Sequence, residues 1–373
     1  MTDVLDYPAT EQANKSVKPG IVDCDIHPSS SSFEEFKPFL SKRWWDHLNT
    51  YGMFVRQGFK EMLAFPRMQA EVSRLDAWPP SGGPPGSDLD FMRQQHLDPN
   101  GVEVGVLIPL RLNSGSQRNI DFGQALVGAV NDWQLEKFCR PEKRLRASIQ
   151  IAPEDTPGSV AEIERRADDP HFVQILLPPR NGDPIGRERF WPIYEAAVAA
   201  KRPIALHVGG VAGHPVSGGT GWPSFYLEEH HSQVQTMQSV IISMVVEGVF
   251  ERFPALKMVV IEAGFAWLPA LAWRLDAQFE RMRSEVPHLK RKPSEYIRDH
   301  IWFTTQPIEE PDRPDDLTRA MEWVGYDRLM FSTDYPHWDF DDPAHAIQVK
   351  LSDENRRKIF SGNAKKLFNL GQA

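Results

Sequence analysis

Eight short apolar runs, most of them followed by a stretch of helical period, constrain this chain more than any other feature. They lie at 21–26 (IVDCDI), 102–109 (VEVGVLIP), 145–151 (LRASIQI), 172–177 (FVQILL), 203–208 (PIALHV), 257–262 (KMVVIE), 301–305 (IWFTT) and 329–333 (LMFST). Their apolar character is nearly continuous instead of alternating, which suits parallel strands covered by helices. Segments of helical period fall between them, for example 119–138, 157–167, 190–200 and 233–250. A strand-then-helix unit repeated to this number predicts an α/β fold closed as a (β/α)8 TIM barrel. A doubly wound two-domain fold is the alternative, but no GxGxxG follows any early strand. Met258 to Leu275 imitates a membrane span, yet Glu262, Pro269 and Arg274 interrupt it and its halves read as a strand and a helix start.

The gap between the first two runs is too long for a simple crossover. Residues 28–100 carry Trp44, Trp45, Phe54, Phe59, Phe65 and Met68, then the breaker-rich PPSGGPPG at 79–86. They read as a helical insertion after the first strand, capping the catalytic face, with most aromatics packing the insertion and a few facing the pocket. Residues 1–20 read as a polar arm without the apolar core of a signal peptide, and 21–373 as a single domain. A net charge of −9 excludes a broad phosphate-binding surface, and two cysteines, Cys24 and Cys139, make no disulfide framework. The expectation is a cytoplasmic protein with a small-molecule substrate and no nucleic-acid or membrane partner. The aromatic insertion allows a homodimer.

Candidate chemistry begins with Asp25-x-His27 at the end of the first run. His207 closes the fifth run, and Asp334 follows the eighth. Taken singly, each has an ordinary structural role: Asp25 as a turn cap, His207 as a core histidine, Asp334 as a turn former. Taken together, they sit at the C-terminal ends of strands one, five and eight, which converge on one face of a barrel. Two imidazoles and two carboxylates suit one divalent cation, with zinc the first expectation and manganese or iron behind it.

DCDIHP, ALHV, VEGVFERFP, IEAGFAWLPALAWRLD, MFSTDYPH and SGNAKKLF resemble the amidohydrolase superfamily. The likeness is to its amidohydrolase-related branch, which includes aminocarboxymuconate-semialdehyde decarboxylase and γ-resorcylate decarboxylase. The resemblance runs from about residue 21 to the C-terminus and implies Asp25, His27, His207 and Asp334 as metal ligands. Two departures qualify it. No lysine occurs between Lys143 and Lys201, so the bridging carboxylated lysine of binuclear relatives has no counterpart and one metal is expected. Where related decarboxylases place a strand-6 histidine, this chain has Glu262, which either serves the cation or pairs with Arg274.

His230 and His231 open the helical stretch after strand five. Adjacent helical positions differ by about 100°, so one of them faces the site as acid or base, with His231 favoured. His337 reads as a group orienting a ligand or touching substrate, or as a holder of its own loop. Cys24 is expected to point away from Asp25 by strand alternation. The reading from sequence is a mononuclear metal-dependent hydrolase, in which metal-activated water attacks a carbonyl-type bond of a small, partly apolar substrate, with Glu262 or His231 moving protons. The alternatives are a non-oxidative decarboxylase of an aromatic or unsaturated acid, and a barrel that binds ligand without catalysis.

Overall fold

The computed structural model describes residues 20–52, 72–110, 117, 119–208, 221 and 223–371. Eight parallel strands follow one another in sequence order: β1 (Ile21–Ile26), β2 (Val102–Leu107), β3 (Leu145–Gln150), β4 (Phe172–Leu176), β5 (Ile204–His207), β6 (Met258–Ile261), β7 (Ile301–Thr304) and β8 (Leu329–Met330). The helices Ile120–Gln134, Thr156–Arg166, Trp191–Ala199, Tyr226–Val246, Leu268–Arg281 and Pro314–Val324 connect them. The expected (β/α)8 barrel is therefore the architecture. Among the described residues, no helix is long and apolar enough to cross a membrane.

Val22, Cys24, Val106, Val173, Ala205, Ile261, Trp302 and Met330 pack as one cluster. Residues drawn from strands all around the ring can meet only inside it. A second, larger cluster fills the space between strands and helices, with Leu145, Ile149 and Ile204 against Trp133, Ile163 and Ile193. These two layers explain why the strands read as continuous apolar runs: both faces of each are buried.

Two local departures matter for the site. In β1, Asp23 stands opposite Gly105 and Ile26 opposite Leu107, three residues against two. This bulge breaks the period-two alternation between Asp23 and Ile26. Cys24 faces the barrel interior together with Val22, in regular alternation, and the bulge bears on Asp25, which joins His27 and His207. Burial pushes the Cys24 thiol well up, aided by Asp23 and Asp25, so it is no nucleophile.

The other departure is at β8, expected over 329–333 but only two residues long. Beyond Met330 the backbone groups find partners outside a ladder: Phe331 N donates to Ile359 O at 3.0 Å, and Thr333 N to the Asp23 carboxylate at 2.9 Å. The seam between β8 and β1 is closed by Cys24 N to Phe331 O (3.0 Å), His27 N to Tyr335 O (2.7 Å) and a bridge between Ile26 and Tyr335.

Within the 28–100 stretch, the described residues form a helix over Lys42–Tyr51, shorter turns and a return segment. Trp44 packs on Phe122 of the helix Ile120–Gln134, ring centroids 5.5 Å apart, and not over the strand ends. Phe54, Phe59, Phe65 and Met68 lie outside the described residues, as does the arm over 1–19. The return segment pairs with the loop after β8: Ser73 bridges His337, and Trp338 N donates to Val72 O at 2.9 Å.

Candidate metal centre

Asp25, His27, His207, Glu262 and Asp334 each present a ligand atom within 4.8 Å of all the others. That span is close to the diameter of one coordination sphere, about 4–4.6 Å for ligands 2.0–2.3 Å from an ion. The four residues singled out from sequence thus meet at the C-terminal ends of β1, β5 and β8. Glu262, at the end of β6, joins them.

Both histidines are oriented by the backbone. His27 Nδ1 donates to Ile108 O at 2.8 Å, and His207 Nδ1 to Val208 O at 2.6 Å. Each ring therefore turns Nε2 toward the cluster, the tautomer a metal-binding imidazole requires. His27 Nε2 lies 2.7 Å from Asp334 Oδ1 and 3.1 Å from Asp25 Oδ1. His207 Nε2 lies 2.8 Å from Glu262 Oε2 and 3.5 Å from Asp25 Oδ2.

Despite this proximity, both Asp25 oxygens and His207 Nε2 are buried without a hydrogen bond. An unpaired buried carboxylate is costly. Three crowded ligand atoms left without a partner, beside the His27 Nε2–Asp334 Oδ1 hydrogen bond of 2.7 Å, fit a shared cation, and this donor set of two nitrogens and three oxygens suits zinc, manganese or iron.

Protonation tells the same story. Burial opposes charge on both rings, but Asp25 and Asp334 hold the His27 imidazole well above its ordinary range. Asp25 and Glu262 likewise hold His207 up at about 10. Burial also pushes Asp25 up, yet the two imidazoles outweigh it and keep its carboxyl far below the usual range. Burial pushes Asp334 and Glu262 up as well, so without a cation the rings and acids of the cluster share its protons. A divalent cation would take the place of those protons.

The surroundings hold Asp334 firmly. His337 Nδ1 donates to its Oδ1 at 2.7 Å, and Gln306 Nε2 to its Oδ2 at 3.2 Å. The His337 ring stacks on His27 with centroids 4.3 Å apart; burial and the neighbouring His27 hold it down at about 3. Asp334 and Glu262 both adopt left-handed backbone, φ 62° and 56°. For such residues this conformation costs about 1–3 kcal/mol, and it persists only where the surroundings enforce it.

The remaining candidates separate cleanly. His230 Nε2 lies 3.3 Å from Asp339 Oδ2, and its ring sits between Tyr226 and Trp338. His230, Glu262 and Asp339 form a second group whose ligand atoms lie within 4.8 Å of one another. His231 is exposed, so the preference for it is reversed: a single residue along the helix turns it away from the barrel. Arg274, the alternative partner for Glu262, is exposed on the helix Leu268–Arg281, and Glu262 approaches His207 instead.

Asp23, His96, Gln306 and Asp339 were not singled out from sequence. His96 is wholly buried and bonded to Asp23. Its partner lies 73 residues away in the chain, and no local pattern signals that pairing.

Comparison with known proteins adds identity to this geometry. The family model described as Amidohydrolase matches residues 22–370. The γ-resorcylate decarboxylase of Polaromonas sp. (strain JS666 / ATCC BAA-500) is 27% identical over 305 residues, covering 76% of this chain and 89% of the relative. The solved 5-carboxyvanillate decarboxylase of Sphingomonas paucimobilis superposes with a TM-score of 0.69 at 20% identity, covering 94% of this chain and 99% of its own. The dihydroxybenzoic acid decarboxylase structure from Polaromonas sp. JS666, with bound manganese and 2-nitroresorcinol, gives a TM-score of 0.63 at 21% identity, covering 95% and 98%. These matches correct the expected reaction. Their named chemistry is decarboxylation, so the hydrolase expectation gives way to its alternative.

Proposed function

The chain belongs to the amidohydrolase family, and on that premise we propose that it is a non-oxidative, metal-dependent decarboxylase of a small aromatic or unsaturated carboxylic acid. The observation that carries this reading is the match to decarboxylases over three quarters of the chain, joined to a buried five-residue ligand cluster with unbonded donor atoms. Asp25, His27, His207 and Asp334 would hold the cation, with Glu262 beside them. Manganese is the metal proposed, because a structurally similar decarboxylase is described with it and an oxygen-rich set suits it. When bound, the cation supplies a Lewis acid that anchors and polarises the substrate's carboxylate and an adjacent oxygen.

The chain's own task is to deliver a proton to carbon. Glu262 stands where related decarboxylases resemble one another in a histidine, and His230 is the proposed replacement. Asp339 raises the His230 imidazole above its ordinary value, against the opposing effect of burial. Its acid form thereby persists to higher pH than that of a free imidazole, as a proton donor requires. The proton on His230 Nε2, 3.3 Å from Asp339 Oδ2, passes to the ring carbon that bears the carboxylate. The C–C bond then breaks, its electrons return to the ring, carbon dioxide departs, and solvent returns a proton to His230. The insertion is proposed to contribute to the pocket wall through its return segment, which lies beside Trp338.

The test is carbon dioxide release from a panel of hydroxybenzoates and related unsaturated acids by manganese-loaded protein. In D2O the product should carry deuterium at the vacated carbon. A loaded protein that releases none from any member, yet hydrolyses esters or lactones, would overturn the reading.

A further inference from the structure

Asp23 is wholly buried, is not among the clustered ligand groups, and plays no part in the proposed proton transfer. Its carboxylate nevertheless accepts four hydrogen bonds. Asp25 N (3.2 Å) and Thr333 N (2.9 Å) donate to Oδ1, while Thr333 Oγ1 (2.6 Å) and His96 Nε2 (2.8 Å) donate to Oδ2. Each of the two backbone donors belongs to a candidate ligand or to its neighbour in sequence. Asp25 is itself a ligand, and Thr333 directly precedes Asp334. The Asp25 amide lies within the β1 bulge, where the ladder offers it no partner.

His96 is fixed in turn. Asn100 Nδ2 donates to its Nδ1 at 3.1 Å, which leaves Nε2–H for Asp23, and its ring stacks on Tyr335 with centroids 4.7 Å apart and 5° between planes. Tyr335 N donates back to Thr333 Oγ1 at 3.2 Å. Asp334, in its left-handed conformation, is thus gripped on both sides. All of this lies at the seam where β8 and β1 have no continuous ladder to set their spacing.

We propose that Asp23 is a positioning residue for the cation. Its carboxylate fixes the bulge that presents Asp25 and the turn that presents Asp334, and so sets the distance between ligands supplied from opposite sides of the seam. This rests on the reading that those residues hold a divalent cation. Groups that orient metal ligands in this way typically change metal affinity on the order of 10–100-fold when removed. Asp23→Asn places an amide donor against His96 Nε2–H. Thr333→Val keeps the Asp23 charge and deletes one of its four bonds.

The experiment titrates Mn²⁺ into the metal-free full-length protein and its variants, reading free and bound ion by EPR, with melting of the metal-free proteins measured alongside. Asp334→Asn is the ligand-deletion control. Wild type binding one ion, with Asp23→Asn at least tenfold weaker, Thr333→Val several-fold weaker and both showing altered bound-ion spectra, supports positioning. Asp23→Asn with wild-type affinity and spectrum overturns it. A loss in Asp23→Asn with none in Thr333→Val also overturns it, because charge alone would then account for the effect. Should Asp23→Asn fail to fold, Thr333→Val decides by the same two readouts. Wild type that binds no Mn²⁺ while melting normally removes the cation reading itself, and the positioning role with it.

Discussion

Replacing Asp339 with Asn should move the pH profile of decarboxylation without dismantling the metal cluster. Asp339 Oδ2 is 3.3 Å from His230 Nε2, and the two side chains are 12% and 22% exposed. A charge-assisted contact to a mostly buried group contributes roughly 1.5–3 kcal/mol, and an exposed pair about 0.2–1 kcal/mol. The long distance and partial exposure place this pair between those ranges, at about 1.4 kcal/mol, a factor of about ten in the protonated fraction. The sign follows from the donor role. Asp339 raises the His230 imidazole, so its removal lowers it, and the acid form is lost at lower pH. The alkaline limb of kcat/KM should therefore move toward acid by about one pH unit, while the plateau below it is preserved. Rates for wild type and Asp339→Asn across pH 5–9, with bound manganese measured in each, provide the assay. An unmoved alkaline limb at full metal occupancy would refute His230 as the proton donor.

Other outcomes rest on the same geometry. His230→Gln should cost on the order of 100-fold or more in kcat, whereas His231→Gln, at an exposed position, should stay within twofold; comparable losses in both would contradict the assignment. Metal uptake near pH 7.5 should release protons, because His27, His207, Asp334 and Glu262 are all raised in the metal-free chain and must give up their protons to bind; affinity then falls as pH drops, and calorimetry in buffers of different ionisation enthalpy counts the protons, with no release contradicting the prediction. Gly86→Ala should weaken metal binding and lower Tm, since Gly86 has φ 78° and an added Cβ would stand 2.3 Å from the His27 carbonyl oxygen; a variant indistinguishable from wild type by titration and melting would contradict that close approach.

The strands were legible because burial on both faces leaves an unbroken apolar run, and β1, β3 and β5 begin or end within a residue of the expected limits. β8 was overestimated because LMFST has strand composition throughout, whereas beyond Met330 the backbone is captured by Asp23 and Ile359, partners far away in the chain. The candidate ligands were visible because each falls at or just beyond an apolar run, and barrel topology alone carries such positions to one mouth. Asp23 and Asp339 were not, because their meaning lies in contacts 310 and 109 residues distant (339 − 230 for the latter). The β1 bulge was equally hidden: parity along IVDCDI gives no sign of an extra residue. PPSGGPPG reads as a linker, yet Gly86 backs directly onto His27.

Glu262 and Asp334 share a left-handed backbone that is uncommon outside glycine, asparagine and aspartate. At each of these corners the chain swerves off its strand as it hands over an acid, and the loop beyond departs on a fresh heading. Length and composition can then vary downstream without dragging the carboxylates along. A fixed polar centre with freely editable surroundings is how one scaffold can acquire new substrates while keeping its chemistry in place.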